Sequence, residues 1–426
     1  MLDDRKSIWS WALYDWANSA FTTTVMAGFF PVFYEQYWST TSNVNESTFY
    51  LGIGNSASSV LIALLAPFLG AIADKGTAKK RFLIFFAFIG IIMTGGLWMV
   101  KQGQWQMALF FYALATAGFM AGNIFYDSLL VGVASKKRID YVSSLGFALG
   151  YIGGGLLFLV NVLMYQKPEL FGISDGATAI RLSFLMVAVW WTVFSIPIMI
   201  FVKEPEAVHP VKLSTAVAQG WGQLIGTIRQ IRELKIVGLF LLAYWLYIDG
   251  VDTIIRMAVK YGTSIGFPAS TLIKALLLVQ FVAFPAALLY NWFASKVGIK
   301  RSVIIAICGY GGITIFGYFM KETWHFYILA ILVALFQGGI QALSRSMYAR
   351  LIPENKAAEF FGFYNMLGKF AAIIGPPLVG TVGLIANDPR MGILSILLLF
   401  IPGALLLNKV DLAEGERRAM NNSISD

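Results

Sequence analysis

Long apolar stretches separated by short basic ones run along the whole chain. The stretches 82–100, 182–202 and 392–408 contain no charged side chain. Each has about 20 residues, the length that a helix needs to cross roughly 30 Å of hydrocarbon. The stretches are continuous and lack the alternation of a lipid-facing β-strand, which argues against a membrane barrel. The pattern predicts an all-α integral membrane protein.

Windows of about 19 residues give twelve predicted spans, numbered 1 to 12 along the chain. They cover 8–37, 49–73, 82–100, 105–133, 141–165, 180–202, 236–261, 268–294, 302–320, 325–346, 359–386 and 391–408. The longest polar connection lies between spans 6 and 7. We therefore expect four parts, namely an N-terminal six-helix bundle (1–202), a linker (203–234), a C-terminal six-helix bundle (235–408) and a tail (409–426).

The linker carries apolar residues at alternating spacings of three and four. This spacing predicts an amphipathic helix on the membrane surface, with an ordinary soluble linker helix as the alternative. Gly375-Pro376-Pro377 predicts a kink in span 11, because proline cannot continue the helical hydrogen bonds.

Composition agrees with a lipid environment. Charged residues make up 13% of the chain and apolar residues 58%, whereas soluble domains carry about 25% charged residues. The single cysteine, Cys308, and two histidines exclude a disulfide scaffold and a thiolate metal site. We expect no metal and no cofactor. The N-terminus lacks the features of a cleaved signal peptide.

The basic residues orient the chain. The connection after span 2 contains Lys75, Lys79, Lys80 and Arg81, whereas the next connection, on the opposite side, contains only Lys101. The same asymmetry continues to the C-terminus. The positive-inside rule then places both termini in the cytoplasm. Because the net charge of +9 lies beside apolar spans, we expect contact with anionic lipid headgroups rather than nucleic acid.

The two halves resemble each other. Trp11 precedes Asp15 by four residues in span 1, and Trp245 precedes Asp249 by four residues in span 7. An offset of 218 residues aligns Asp127 with Arg345. Matches in this order favour two six-span repeats in parallel, related by a pseudo-twofold axis along the membrane normal.

Several motifs identify a family. Gly70-Ala-Ile-Ala-Asp74-Lys75-Gly76 resembles the loop between spans 2 and 3 that marks the major facilitator superfamily. The vacuole-effluxer branch, named for fungal proteins that release amino acids from the vacuole and with many bacterial members, is similar in three further stretches: 14–21, 341–346 and 359–376. The resemblance implies the superfamily fold, a cavity lined by spans 1, 4, 7 and 10, and a gating role for Asp74.

Charges inside the predicted spans are the strongest site signal, because a charge in hydrocarbon is costly unless it meets a cavity or partner. These residues are Asp15, Asp127, Asp249, Asp252, Arg256, Lys274 and Lys369. All three bases lie in the C-terminal half. Asp15 and Asp127 are therefore expected to take up protons, to bind a cationic ligand group, or to pair across the bundles with Arg345 or Lys369 as a gate.

Polar residues at helical spacing extend these positions into a predicted cavity. The candidate substrate-binding residues are Asp15, Asn18, Asn123, Asp127, Asp249, Gln341, Asn365 and Lys369. Asp15 and Asp127 are also candidates for proton coupling, and Asp74 and Arg345 for gating. Asp252 and Arg256, four residues apart, are expected to form a structural ion pair. Lys274 is expected to reach the outer membrane surface.

These features favour a secondary active transporter that moves a small polar or zwitterionic, amino-acid-like solute by alternating access with proton coupling. Efflux is one direction to consider. No Walker loop occurs, so ATP is not expected to supply the energy. A membrane-embedded lipid-modifying enzyme and an uncoupled facilitator or channel are the alternatives. We expect a monomeric non-enzyme in a bacterial inner membrane, with the lipid bilayer, a small-molecule substrate and protons as its partners.

Overall fold

The computed structural model consists of helices joined by short turns. It describes residues 2–39, 44–76, 78–204, 235–370 and 374–424, except for the side chains of 44–49, 51–57, 75–76, 259–260, 263–264, 269–270, 369–370 and 421–424. The predicted linker at 203–234 falls almost wholly outside the described residues.

Each of the twelve predicted spans coincides with helical structure. Spans 2 to 10 are Val44–Gly76, Lys79–Gly96, Trp105–Val133, Ile139–Gln166, Gly176–Phe201, Lys235–Ser264, Ala269–Val297, Ile299–Phe319 and Thr323–Leu351. Within the described part of the chain, nine helices are long and apolar enough to cross a membrane. Spans 1, 2 and 11 are not among these nine. Span 1 has mixed helical geometry, span 2 has a shorter apolar portion, Ser58–Asp74, and span 11 is described as two helices.

Span 1 changes its helical geometry along its length. It begins as the α-helix Arg5–Ala20 and continues as π-helical Phe21–Phe29, α-helical Phe30–Phe33 and π-helical Tyr34–Trp38. Asp4 starts the helix by accepting the backbone N–H of Ser7. The wider π-helical turns are common at functional sites, and here they follow directly after the segment that carries Asp15.

The structure describes span 11 as two helices on either side of residues 371–373, which lie outside the described residues, so the kink expected at Gly375-Pro376-Pro377 stays a prediction. Its first helix is Ala357–Phe370 and its second is Gly375–Ala386. Pro376 and Pro377 lie in the first turn of the second helix, where a missing N–H breaks no helical hydrogen bond. Span 12 follows as Pro389–Leu394 and Leu397–Asn408, and a short tail helix, Leu412–Ile424, ends the described chain.

Equivalent contacts recur in the two halves. Lys80 at the start of span 3 donates to the carbonyls of Met199 and Val202 at the end of span 6. Lys300 at the start of span 9 donates to the carbonyls of Asn408 and Val410 at the end of span 12. Lys80 and Lys300 therefore occupy equivalent positions in the two halves.

The opposite membrane face contains a second matching pair. Arg181 at the start of span 6 donates twice to the carbonyl of Trp98, at 2.6 and 3.0 Å. Arg390 at the start of span 12 donates to the carbonyl of Tyr318. In both halves a cation thus satisfies a carbonyl at the end of a neighbouring helix, which supports the predicted six-plus-six repeat.

Both chain ends lie at one face of the molecule. The backbone N–H of Asp3 donates to the carbonyl of Val133 at the end of span 4. Arg350 at the end of span 10 contacts Asp140 on span 5 and Glu416 on the tail helix. We call the face that carries Asp3, Asp140 and Glu416 the terminal face.

The two bundles pack closely at the half of the molecule nearest the terminal face. Gly70 on span 2 lies against the carbonyl of Ala358 on span 11. A Cβ at Gly362 would lie 2.6 Å from the carbonyl oxygen of Ala66, so these glycines permit a helix contact that larger residues would block. On this side the bundles are therefore shut against each other.

Candidate functional site

Asp15, Asp127 and Arg345 meet between the two bundles. The Arg345 Nη1 atom lies 3.0 Å from Asp127 Oδ1 and 3.9 Å from Asp15 Oδ2. Asp15 is on span 1 and Asp127 on span 4, whereas Arg345 is on span 10, so the contact crosses from one bundle to the other. All three side chains are at most 13% exposed. The structure thus brings together both predicted proton-coupling acids and one predicted gating residue.

Hydrogen bonds fix the position of the guanidinium. Arg345 Nε donates to Ser143 Oγ, and its Nη2 atom donates to the Ser143 carbonyl, both at 2.9 Å. Ser143 at the start of span 5 donates in turn to the carbonyl of Ala342 on span 10. Asn365 on span 11 donates to Asp127 Oδ2 at 3.0 Å. Such bonds to charged groups are among the stronger ones in proteins.

Three aromatic rings surround the same guanidinium. Arg345 Cζ lies 4.9 Å from the ring centre of Trp11, 5.5 Å from that of Tyr126 and 4.2 Å from that of Phe147. Distances below about 6 Å allow cation–π attraction. All three rings belong to the N-terminal bundle. The sequence marks Trp11 only as part of the internal repeat and gives no sign that any of the three rings belongs to the site, because aromatic residues are common throughout the apolar spans.

Asp74 makes a second contact between the bundles. Its carboxylate accepts the backbone N–H groups of Ala358 and Glu359, at 3.1 and 2.8 Å, at the start of span 11. A carboxylate at a helix N-terminus is stabilised by the free N–H groups and the helix dipole. Lys79 forms an ion pair with the same carboxylate at 2.9 Å. This geometry is consistent with the gating role predicted for Asp74.

A third contact lies at the edge of the terminal face. Arg350 pairs with Asp140 on span 5 at 2.6 Å and with Glu416 of the tail helix at 3.3 Å. Within the tail helix, hydrogen bonds from Arg417 and Arg418 lower the pKa of Glu414 to about 2. The tail helix is therefore connected by charge to both bundles. In the sequence, Arg350 is one of several basic residues at the span ends and shows no sign of this contact.

A layer of neutral polar contacts lies deeper in the molecule. Asn18 on span 1 donates to Asn123 on span 4 at 2.8 Å. Tyr151 on span 5 donates to Gln341 on span 10 at 2.8 Å. Gln280 on span 8 donates to the hydroxyl of Thr23 on span 1. Of these residues, Asn18, Asn123 and Gln341 are predicted substrate-binding residues, and the structure places each on a span at the bundle contact.

Asp249 lies outside the Arg345 cluster. Its carboxylate accepts the backbone N–H groups of Ile374 and Gly375, at 3.2 and 2.9 Å, and the hydroxyl of Thr253. Asp249 is fully buried and caps the second helix of span 11. A Cβ at Gly375 would collide with Thr253, so glycine permits this close approach. The contact gives Asp249 a structural role that its predicted place in a substrate site does not anticipate.

The remaining predicted charges have different outcomes. The Arg256 side chain is exposed. The structural ion pair of Asp252 and Arg256 that the sequence favours stays a prediction. Lys274 is exposed, as expected for a side chain near the membrane surface. The side chain of Lys369 lies outside the described residues, so its predicted role stays a prediction.

The described residues contain no group of three His, Cys, Asp or Glu side chains that is arranged to hold a metal ion. The chemistry of the site is therefore that of carboxylates, a guanidinium, amides and aromatic rings. Groups of this kind can bind polar or charged solutes and exchange protons.

Comparison with known proteins adds the family context. The family described as "Vacuole effluxer Atg22 like" matches residues 3–49 and 42–420. A Bacillus subtilis protein named as the uncharacterized MFS-type transporter YxiO is 39% identical over 93% of both chains. Autophagy-related protein 22 of Yarrowia lipolytica is 24% identical, with 82% of this chain and 73% of the relative covered.

Solved structures share the fold at low sequence identity. The crystal structure of the human organic anion transporter MFSD10 has a TM-score of 0.72 and 14% identity, and the match covers 95% of this chain and 99% of that one. The shared architecture is that of the major facilitator superfamily, which confirms the predicted fold of twelve spans in two six-helix bundles.

Proposed function

The chain belongs to the vacuole-effluxer family of the major facilitator superfamily, so it is a membrane transporter and not an enzyme, and we propose that it is a secondary active transporter. Its substrate is a small polar or zwitterionic, amino-acid-like solute. The bundles alternate between closing the terminal face and closing the opposite face. Because the matched family is described as effluxers, export is the direction that we propose.

The observation that carries this proposal is the cluster of Asp15, Asp127 and Arg345. A buried ion pair across an interface is favourable only while its partners stay together. When the bundles separate at the terminal face, Arg345 leaves both carboxylates. The cluster therefore links the charge state of the N-terminal bundle to the opening of this face.

Proton coupling follows from the same arrangement. Protonation of Asp127 removes the charge that attracts Arg345 and thereby weakens the closed state. Conversely, closure on Arg345 favours the ionised carboxylate. We propose that Asp15 and Asp127 take up and release protons during the transport cycle. We propose that Asp74 and Arg345 control the opening of the terminal face.

We assign the terminal face to the cytoplasm. It carries the basic connection that includes Lys79 and Lys80, as the positive-inside rule requires. The protein is a multi-pass membrane protein, and we place it in a bacterial cell membrane, the inner one where the cell has two. It works as a monomer, since each chain contains both bundles.

The experiment is solute counterflow in proteoliposomes, with and without a pH gradient. Wild-type protein is expected to exchange an amino-acid-like solute and to accumulate it when a pH gradient is imposed. Asp15→Asn is expected to keep counterflow and lose the gradient-driven accumulation. Asp175→Asn, at an exposed helix cap that asparagine also fits, is the matched control. Wild-type flux independent of pH, together with normal transport by Asp15→Asn, would exclude the coupling; single-channel currents would favour a channel instead.

A further inference from the structure

Two carboxylates and three aromatic rings surround the guanidinium of Arg345. We define this cation cage as Trp11, Asp15, Tyr126, Asp127 and Phe147, which all contact or face the Arg345 guanidinium. Aromatic faces combined with carboxylates are the usual protein partners of ammonium and guanidinium groups. Both elements occur here around one cation.

We propose that the cation cage binds the ammonium or guanidinium group of the transported solute, and that Arg345 occupies it as a built-in ligand when the terminal face is closed. The proposal rests on the transporter function above and specifies its substrate class, a solute with a cationic nitrogen group. Solute and Arg345 then compete for one site, and closure of the terminal face displaces the solute's cationic group.

Every member of the cage belongs to the N-terminal bundle. Trp11 and Asp15 lie one turn apart on span 1, Tyr126 and Asp127 are adjacent on span 4, and Phe147 is on span 5. Arg345 comes from span 10 of the other bundle. Separation of the bundles therefore removes the occupant and leaves the cage complete.

Three of the five cage residues, Trp11, Asp15 and Tyr126, are joined by contacts that do not involve Arg345. The Trp11 indole N–H donates to the Tyr126 carbonyl at 2.9 Å, and the two rings stack with centres 4.4 Å apart. The Tyr126 hydroxyl and the Ser19 hydroxyl each donate to Asp15 at 3.3 Å. A site that is already organised loses little entropy on binding a ligand.

The charge of the cage also favours a cationic occupant in the open state. Opening takes the guanidinium away from two carboxylates that lie inside a membrane-spanning bundle, where an unneutralised charge is costly. A solute cation restores both the charge contact and the ring contacts, whereas protons restore only charge neutrality. The three rings therefore favour an organic cation as the occupant of the open state.

The cage is tested first by binding to the emptied site. In purified Arg345→Ala, ethylguanidinium is expected to raise the melting temperature, and its neutral isostere ethylurea is not. In the same background Trp11→Leu is expected to weaken ethylguanidinium binding about tenfold, the effect of losing one desolvated cation–π contact. Trp190→Leu, which removes a ring stacked on Trp16 away from the cage, is the control. Equal responses to both compounds, or no effect of Trp11→Leu, would overturn the proposal.

A second measurement does not depend on the folding of Arg345→Ala. Cys308 is replaced by serine, and Ala358→Cys places a reporter in the buried contact between spans 2 and 11 at the terminal face. Ethylguanidinium is expected to raise the rate of maleimide labelling several-fold, because it stabilises the state in which Arg345 has left the cage; ethylurea is expected to leave it unchanged. No difference between the two compounds contradicts the proposal.

Counterflow separates this proposal from the general transporter function. Exchange of cationic solutes, with a KM about tenfold higher in Trp11→Leu than in wild type, supports the cage. Exchange of neutral solutes alone, unaffected by Trp11→Leu, overturns the cage and leaves the transporter function intact. Failure of every solute to exchange counts against the transporter function, and the two binding measurements then decide on the cage.

Discussion

Asp127 and Arg345, 218 residues apart in the chain, form a 3.0 Å ion pair between the two bundles. The same offset relates their positions in the two repeats, so spans 4 and 10 contribute opposite charges at equivalent places. The Arg345 side chain also reaches Asp15 of the other bundle. One arginine of the C-terminal bundle thus contacts two acids of the N-terminal bundle in the closed state.

Removing the Arg345 charge is expected to destabilise the closed state. In Arg345→Gln the two buried carboxylates lose the guanidinium, at a cost of about 3–5 kcal/mol. We predict a lower melting temperature in detergent and loss of most counterflow activity. Arg417→Gln, in the exposed part of the tail helix, is the matched control and should behave as wild type. An Arg345→Gln variant with wild-type stability and transport would show that the ion pair does not act as a gate.

A methyl group at Gly70 is expected to hold the terminal face open. The added Cβ would collide with the carbonyl of Ala358, which is backbone and cannot turn aside. We predict slower counterflow in Gly70→Ala and faster labelling of an Ala342→Cys reporter, a position that is fully buried in the closed structure. Gly312→Ala is the control, since its Cβ would meet no atom within 4 Å. Wild-type labelling in Gly70→Ala would contradict the tight contact of spans 2 and 11.

Loss of the Asp249 carboxylate is expected to destabilise the start of the second helix of span 11. Asp249→Ala leaves the backbone N–H groups of Ile374 and Gly375 without their acceptor, at a cost of about 2–4 kcal/mol. Thermal unfolding in detergent measures the effect. Asp388→Ala removes a cap that accepts the backbone N–H of Arg390, and should cost only about 1 kcal/mol. Equal melting temperatures for both variants would argue against the capping role of Asp249.

The Arg350 contacts are expected to hold the tail helix against the bundles. Arg350→Gln removes the ion pairs to Asp140 and Glu416. We predict faster tryptic cleavage after Arg417 and Arg418 at neutral pH, with little change in global melting, because partly exposed ion pairs contribute only about 1 kcal/mol. Arg301→Gln, an exposed position on the same face, serves as the control. Cleavage at the wild-type rate would mean that other contacts position the tail helix.

The charged part of the site is predictable from sequence because charges are rare in apolar spans. Asp15, Asp127 and Arg345 are identified by that contrast and by the internal repeat, and the structure brings them together. The sequence Gly375-Pro376-Pro377 likewise marks the place where the second described helix of span 11 begins. These signals are local, so they survive without knowledge of the packing.

The rest of the site depends on tertiary packing. Trp11, Tyr126 and Phe147 resemble any other aromatic residue of an apolar span until the fold turns their rings toward one guanidinium. Asp249 can cap the second helix of span 11 only because span 7 packs beside the start of that helix, which lies 125 residues away in the chain. The equivalence of Lys80 and Lys300 in the two repeats is likewise recognisable only from the carbonyl contacts that both lysines make.

The most direct test of the account is the distance between the bundles at the terminal face. Spin labels at Tyr141→Cys and Glu354→Cys, both exposed and in opposite bundles, report this distance by pulsed electron paramagnetic resonance in liposomes, in a Cys308→Ser background. The account predicts one short distance in the closed state and a new, longer population when Arg345→Gln is introduced. An identical single distance in both proteins, at low and at neutral pH, would contradict gating by the Asp15, Asp127 and Arg345 cluster.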